Sequence, residues 1–116
     1  MVSVRILLVD DDPNLLKTLV RVLRRAGHEV WGCGSPGEAL AEIDHAPHFD
    51  LVITDLNLAE GTCNELLGEA RRRSPRTRLM VLTGGAAPEW IAADVSVHAK
   101  PIGTAELLRA IDQQLA

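Results

Sequence analysis

The sequence predicts an α/β fold in which a doubly wound parallel sheet of five strands carries helices on both faces, a three-layer sandwich. Two observations carry that prediction. Short apolar runs alternate with amphipathic helical patterns along all 116 residues, as expected of successive βαβ units with right-handed crossovers. The strongest runs, such as Leu79-Met80-Val81-Leu82, are apolar at consecutive positions rather than at alternate ones. Strands buried on both faces read that way.

Each element has its own local reason. Val4-Arg5-Ile6-Leu7-Leu8-Val9 is a nearly continuous apolar strand. After Asp10-Asp11-Asp12, Leu15, Leu16, Leu19, Val20, Leu23 and Ala26 recur at helical spacing, with Pro13 in the first turn and Gly27 as the stop. Residues 28–32 read as a weak second strand. Ser35-Pro36-Gly37-Glu38 is a capping box that opens a helix through Ala39, Leu40 and Ile43. Residues 50–54 form the third strand. A second capping box, Thr62-Cys63-Asn64-Glu65, opens a helix through Leu66, Leu67 and Ala70, which Ser74-Pro75 ends because the residue before proline avoids helical angles. Residues 78–83 and 95–98 are the fourth and fifth strands. The last helix runs from Thr104 to Leu115, with Leu107, Leu108, Ile111 and Leu115 on one face.

The fourth crossover is short. Sixteen positions separate Thr83 from Lys100. A strand and two loops leave roughly 4–8 of them for a helix, against the usual 11–12. Gly84-Gly85 and Pro88 interrupt rather than propagate. The expectation is a shortened fourth helix of at most two turns around residues 88–94, or an irregular segment, and in either case the most mobile part of the fold.

Composition excludes several classes. The chain is 47% hydrophobic and 24% charged, too apolar for disorder and long enough to bury a core without staples. Aromatics make up 3%, with no Tyr, and the net charge is −4; both disfavour nucleic-acid binding. Two cysteines, Cys33 and Cys63, neither pair into a framework nor show metal-ligand spacing. No run reaches the ~20 apolar residues of a membrane span, and the aspartates by residue 10 interrupt any signal-peptide core. A reducing cytoplasmic setting is expected.

In a doubly wound sheet, ligands sit beyond the carboxyl ends of the strands. There this sequence places Asp10, Asp11 and Asp12 after the first strand, Asp55 after the third, Thr83 ending the fourth and Lys100-Pro101 after the fifth. Clustered carboxylates call for a cation, and Mg²⁺ is the natural oxygen-ligand choice. A carboxylate beside it is a competent nucleophile towards phosphorus, with a hydroxyl and an ammonium to hold the transferring oxygens. Taken singly, Asp12 is an N-cap and the others are ordinary rim residues; their placement at four strand ends is what points to a site. No Walker A or dinucleotide motif is present, so no bound nucleotide is expected to bring the phosphate.

LLVDDDP at 7–13, DLVITDLNL at 50–58, VLTG at 81–84 and AKPI at 99–102, in that order, resemble the receiver domain of two-component response regulators, the CheY-like family. The resemblance covers residues 1–116 as one receiver domain. It implies a (βα)5 sheet of order 2-1-3-4-5 and a phosphoacceptor, Asp55. It implies Mg²⁺ held by Asp10, Asp11, Asp55 and the backbone carbonyl of Asn57. Thr83 and Lys100 would stabilise the phosphoryl group, and the Lys100-Pro101 peptide would be cis. The donor would be a sensor histidine kinase or a histidine phosphotransfer protein. The response would be phosphorylation-dependent binding of a downstream protein, a fused output domain or a second copy, with no membrane contact and no direct DNA binding. Such a domain is no enzyme beyond its own phosphotransfer and autodephosphorylation.

Three positions depart from the family pattern. Val97 stands where the family carries an aromatic switch residue, Ala59 where it carries Pro and Cys63 where it carries Gly. Val97 and the short fourth crossover motivate a second reading, a degenerate receiver acting as a phosphorylation-independent interaction module. A third reading, a haloacid-dehalogenase-type phosphatase built on the Asp-x-Asp of residues 10–12, requires a longer chain with a cap.

The remaining singular residues have structural readings. Arg71-Arg72-Arg73, with Arg76 and Arg78, suits a solvated helix end. Cys33 and Cys63 read as small buried residues. His28, His45, His48 and His98 lack ligand spacing and read as loop or surface residues. Trp31 is a rare large residue, and Trp90 is expected to pack into the core rather than anchor a partner.

Overall fold

In the computed structural model, residues 3–45, 48–58 and 61–116 are described. In chain order the elements are β1 (Arg5–Val9), α1 (Pro13–Arg25), β2 (Glu29–Cys33), α2 (Pro36–His45), β3 (Leu51–Asp55), β4 (Asn57–Leu58), β5 (Gly61–Thr62), α3 (Asn64–Arg73), β6 (Arg78–Thr83), β7 (Ser96–Ala99) and α4 (Thr104–Leu115). Five strands form one parallel sheet in the order β2-β1-β3-β6-β7. Counting only those five, this is the expected 2-1-3-4-5 order.

Alternation along each strand divides the core in two. Leu7, Val9 and Val52 face α2 and α3, in a cluster with Ile43, Leu66 and Ala70. Ile6, Leu8, Leu51 and Ile53 face α1 and α4, packing with Leu19, Leu23, Leu107 and Ile111. Both faces of the central strands are therefore covered, which is why β1, β3 and β6 read as continuous apolar runs. No helix among the described residues is long and apolar enough to cross a membrane.

Caps set the helix ends. Asp12 Oδ1 accepts from the Asn14 and Leu15 N–H groups at 3.0 and 3.3 Å, relieving two orphan donors of α1. Ser35 Oγ accepts from Glu38 N–H at 3.2 Å, while Glu38 reaches back to Gly34 N–H at 2.9 Å. The N-cap of α3 falls on Cys63 rather than on the expected Thr62, and Cys63 makes no side-chain capping bond. Thr62, one residue earlier, belongs to β5, paired opposite Asn57.

α1 ends in a Schellman turn. Gly27 takes φ 99°; its N–H donates to Arg24 O at 3.0 Å and that of His28 to Leu23 O at 3.2 Å. The turn drives His28 inward. It is 5% exposed, not at the surface as expected, and its Nδ1 accepts from Val4 N–H at 3.3 Å. The second strand accordingly starts at Glu29, one residue late. The third also starts one residue late, because Asp50 spends its Oδ2 on Arg5 N–H at 2.8 Å. The fifth begins at Ser96, since Val95 N–H closes a turn on Ala92 O at 3.0 Å.

The fourth crossover contains no helix. Residues 84–95 run as bends and turns, the irregular alternative rather than the shortened helix. Glycines and a proline deny the segment a helical nucleus, whose cost few residues can recover. Without an amphipathic face to turn it inward, Trp90 is 46% exposed, against the expected core position. Val95 and Ile91 take the inner places beside α3 instead. A 2.6 Å ion pair from Arg71 to Asp94 ties the segment to the end of α3. Arg72 pairs with Glu69, and Arg73 with Asp44. The arginine cluster is thus a paired helix end.

Candidate functional site

Parallel register builds the site. Val9 lies opposite Thr54, Asp55 opposite Leu82 and Thr83 opposite Ala99. The carboxyl ends of β1, β3, β6 and β7 therefore finish at one level. Asp10, Asp55, Thr83 and Lys100, distant in sequence, meet on that rim.

Lys100 is the centre of the arrangement. Its backbone N–H donates to Thr83 O at 2.8 Å, which carries the chain past the end of β6. Its Nζ then sits 3.2 Å from Asp10 Oδ2 and 3.2 Å from Asp55 Oδ2. Asp10 is 2% exposed, and its other oxygen accepts from Asp12 N–H at 2.9 Å. A carboxylate that deep is tolerable only when paired and hydrogen-bonded. Asp11 projects into solvent. One carboxylate oxygen from each of Asp10, Asp11 and Asp55 falls within a 4.8 Å group.

The electrostatics follow from that crowding. Burial raises the Asp55 carboxyl above its ordinary value; the bond and charge of Lys100 oppose this, while the charges of Asp10 and Asp11 add to it. Burial pulls the Lys100 ammonium down, but its bonds to Asp55 and Asp10 outweigh that and hold it above the ordinary lysine value. One fixed cation thus faces three carboxylates, and the excess negative charge is left for another cation.

The donor set suits a hard divalent ion. Octahedral ligands at about 2.1 Å stand ~3–4 Å apart, and the three carboxylate oxygens need only a small adjustment to meet that spacing. No thiolate or imidazole belongs to the group. The acidic pocket can bind a metal ion.

Thr83 is buried, and its Oγ1 accepts from Gly85 N–H at 3.1 Å. A hydroxyl that accepts there still has its proton to give. Asn57 is exposed at the start of β4, and Ala59 lies outside the described residues. The β4–β5 ladder pairs Asn57 with Thr62 and Leu58 with Gly61. Nothing in the sequence announced it, because two-residue strands show no periodicity. The Lys100-Pro101 peptide is cis. Val97 is half-buried against the α2–α3 face of the core, so no aromatic ring or hydroxyl stands at that point of β7. Cys63 and Cys33 are buried, with thiols pushed up to about 11 and about 12 mainly by burial, which makes them poor nucleophiles.

A profile for the response regulator receiver domain matches residues 6–112. The transcriptional regulatory protein GlrR of Escherichia coli is 36% identical over 115 residues, covering 95% of this chain and 26% of its own length. This chain thus spans about a quarter of that relative. The response regulator receiver protein CpdR of Brucella abortus is 32% identical over 116 residues, 96% of each chain. Among solved structures, a CheY-like receiver domain protein from Methanospirillum hungatei superposes with a TM-score of 0.89 at 31% identity, covering 98% of this chain and 94% of that one. The receiver domain of the hybrid histidine kinase CckA gives 0.84 at 29% identity, covering 97% and 99%. The profile match takes in the acidic strand ends and the rim lysine together, and the likeness in fold extends over nearly every residue. The chain belongs to the response regulator receiver domains of two-component systems.

Proposed function

We propose that this receiver takes a phosphoryl group onto Asp55 from a phosphohistidine of a sensor kinase or histidine phosphotransfer protein, in the cytoplasm, and changes its affinity for a partner in response. The single observation that supports this best is Lys100 Nζ held 3.2 Å from both Asp10 and Asp55 at the rim of the sheet.

In the transfer, an Asp55 carboxylate oxygen bonds to phosphorus as the P–N bond to the donor imidazole breaks. The imidazole nitrogen keeps the electron pair and takes a proton. Lys100 is already placed to bond an oxygen of the group arriving on Asp55. Thr83 offers a hydroxyl at the neighbouring strand end. Asp10 and Asp11, with Asp55 and the Asn57 carbonyl, would hold Mg²⁺, which when bound neutralises charge on the phosphoryl oxygens. The activity ends with this transfer and hydrolysis of the aspartyl phosphate; no other substrate is turned over.

Incubation with acetyl phosphate and Mg²⁺, read by intact mass, tests the reading. One acid-labile, hydroxylamine-sensitive phosphoryl adduct is expected, abolished by Asp55→Asn and by chelation, with the fold retained by circular dichroism. A second reading, a phosphorylation-independent interaction module, draws on Val97 and the helix-free crossover. It takes over if wild type stays unmodified, or if partner binding is the same with and without the adduct.

A further inference from the structure

α1 is a basic helix on an acidic chain. All of its charged residues, Lys17, Arg21, Arg24 and Arg25, are cations, whereas the whole protein has a net charge of −4. The other arginine cluster, at the end of α3, is neutralised by Asp94, Glu69 and Asp44. Among the described residues, no ion pair involves any of the four cations of α1.

The four line one open groove of about 790 Å³, between α1 and the edge strand β2. Its floor is apolar: Leu16 and Val20 are half-buried there. Gly32 keeps it shallow and close, since a Cβ on Gly32 would stand 2.9 Å from a Val20 methyl. Arg24 is anchored by a 2.8 Å bond to Val30 O, so that cation is held at the groove rather than free to swing away. The groove lies on the outer flank of α1. The opposite flank, with Leu15 and Leu19, faces Lys100 and Pro101, so occupation of the groove leaves the acidic rim open.

We propose that this groove docks an acidic amphipathic helix of a partner protein. The chemistry is complementary at two levels. Cations at 17, 21 and 24–25 recur once per turn, a rise of about 5.4 Å, and match carboxylates spaced i, i+4, i+7 on a facing helix. The half-buried Leu16 and Val20 accept apolar side chains lying between those acids. A lipid surface fits less well, because membrane-binding helices expose their apolar face outward, and the large hydrophobic residue exposed among the described residues, Trp90, lies elsewhere. The absence of any aromatic residue from the groove's lining and the acidic total disfavour nucleic acid.

Fluorescence anisotropy on the full chain tests this, with a labelled, helix-forming peptide carrying Glu and Leu at i, i+4 spacing as the probe. Binding should be saturable and weaken with salt, and should fall about tenfold or more when the peptide's Leu residues become Ser or its Glu residues become Lys. Arg21→Glu/Arg25→Glu should cost a similar factor, while phosphorylation by acetyl phosphate and binding by Trp90→Ala stay unchanged; Arg21→Gln/Arg25→Gln serves if the reversal fails to fold. Equal binding of the Leu→Ser peptide would overturn the proposal, as would an unchanged affinity in the charge variants. So would tighter binding to phosphatidylglycerol vesicles or to duplex DNA than to the acidic peptide.

Discussion

The two edges of the sheet obey one architectural rule and end differently. At the β2 edge, α1 and α2 cover both faces, and Val30 and Cys33 are buried. At the β7 edge, α4 covers one face and a helix-free loop covers the other, and none of Ser96–Ala99 is buried. Yet the poorly covered strand is the one that delivers Lys100 to the acidic rim. Position at a strand end needs only the backbone ladder to β6, which runs from Met80↔Ser96 to Thr83↔Ala99. Chemistry at the rim therefore tolerates the loss of a helix. What the missing helix removes is stability at that edge and the surface it would have presented.

The largest contrast between the edges should appear in stability. Leu23, wholly buried on the inner face of α1, should cost about 2–5 kcal/mol as Leu23→Ala, whereas Trp90→Ala in the crossover should stay within about 0.5 kcal/mol; urea denaturation measures both. A cost above 2 kcal/mol at Trp90 would mean the two edges are equally consolidated. Amide exchange should follow the same division. Residues 84–95 and the outer amides of β7 should exchange at least ~100-fold faster than those of α1 and β2, and beryllofluoride with Mg²⁺ should narrow the gap if phosphorylation orders this edge.

The β2 edge should in turn be the acid-sensitive one. Burial depresses the His28 imidazole below its ordinary value of 6.5, only partly offset by Asp112. The unfolded chain then binds the proton more readily, so stability is lost as pH falls below about 6.5. The neutral ring accepts from Val4 N–H, and protonation removes that acceptor. His28→Gln should show a flatter loss of Tm between about pH 7 and 5 than wild type. A parallel loss would remove His28 from the acid response. A small effect should also come from Arg71→Ala. It frees Asp94 at an exposed pair worth about 0.2–1 kcal/mol, and should speed exchange in 84–95 while leaving β2 unchanged.

The legible parts of the fold were those with many residues voting together. β1, β3 and β6 were readable from unbroken apolar runs, and α1 and α4 from repeated helical spacing. Asp12 and Ser35 were readable as caps because cap chemistry is local. The errors fall where a single residue answers to distant partners. The N-cap of α3 falls on Cys63 while Thr62 pairs with Asn57 in a ladder, and His28 is carried inward by the turn at Gly27. The β4–β5 ladder was invisible because each strand has two residues. Of the site, the aspartates and the lysine were visible as strand-end residues. The sharing of Lys100 between Asp10 and Asp55 was not.

By itself, the sequence determined the alternation of strands and helices, the brevity of the fourth crossover and the identity of the residues at each strand end. Periodicity, proline and glycine act within a few residues and leave their mark in order along the chain. Only the tertiary structure decided that the crossover forms no helix, that Trp90 faces solvent and His28 does not, and that Lys100 stands 3.2 Å from two carboxylates 45 and 90 residues away in sequence. Those outcomes depend on register between strands and on what remains to cover each face, and neither is a local property of the chain.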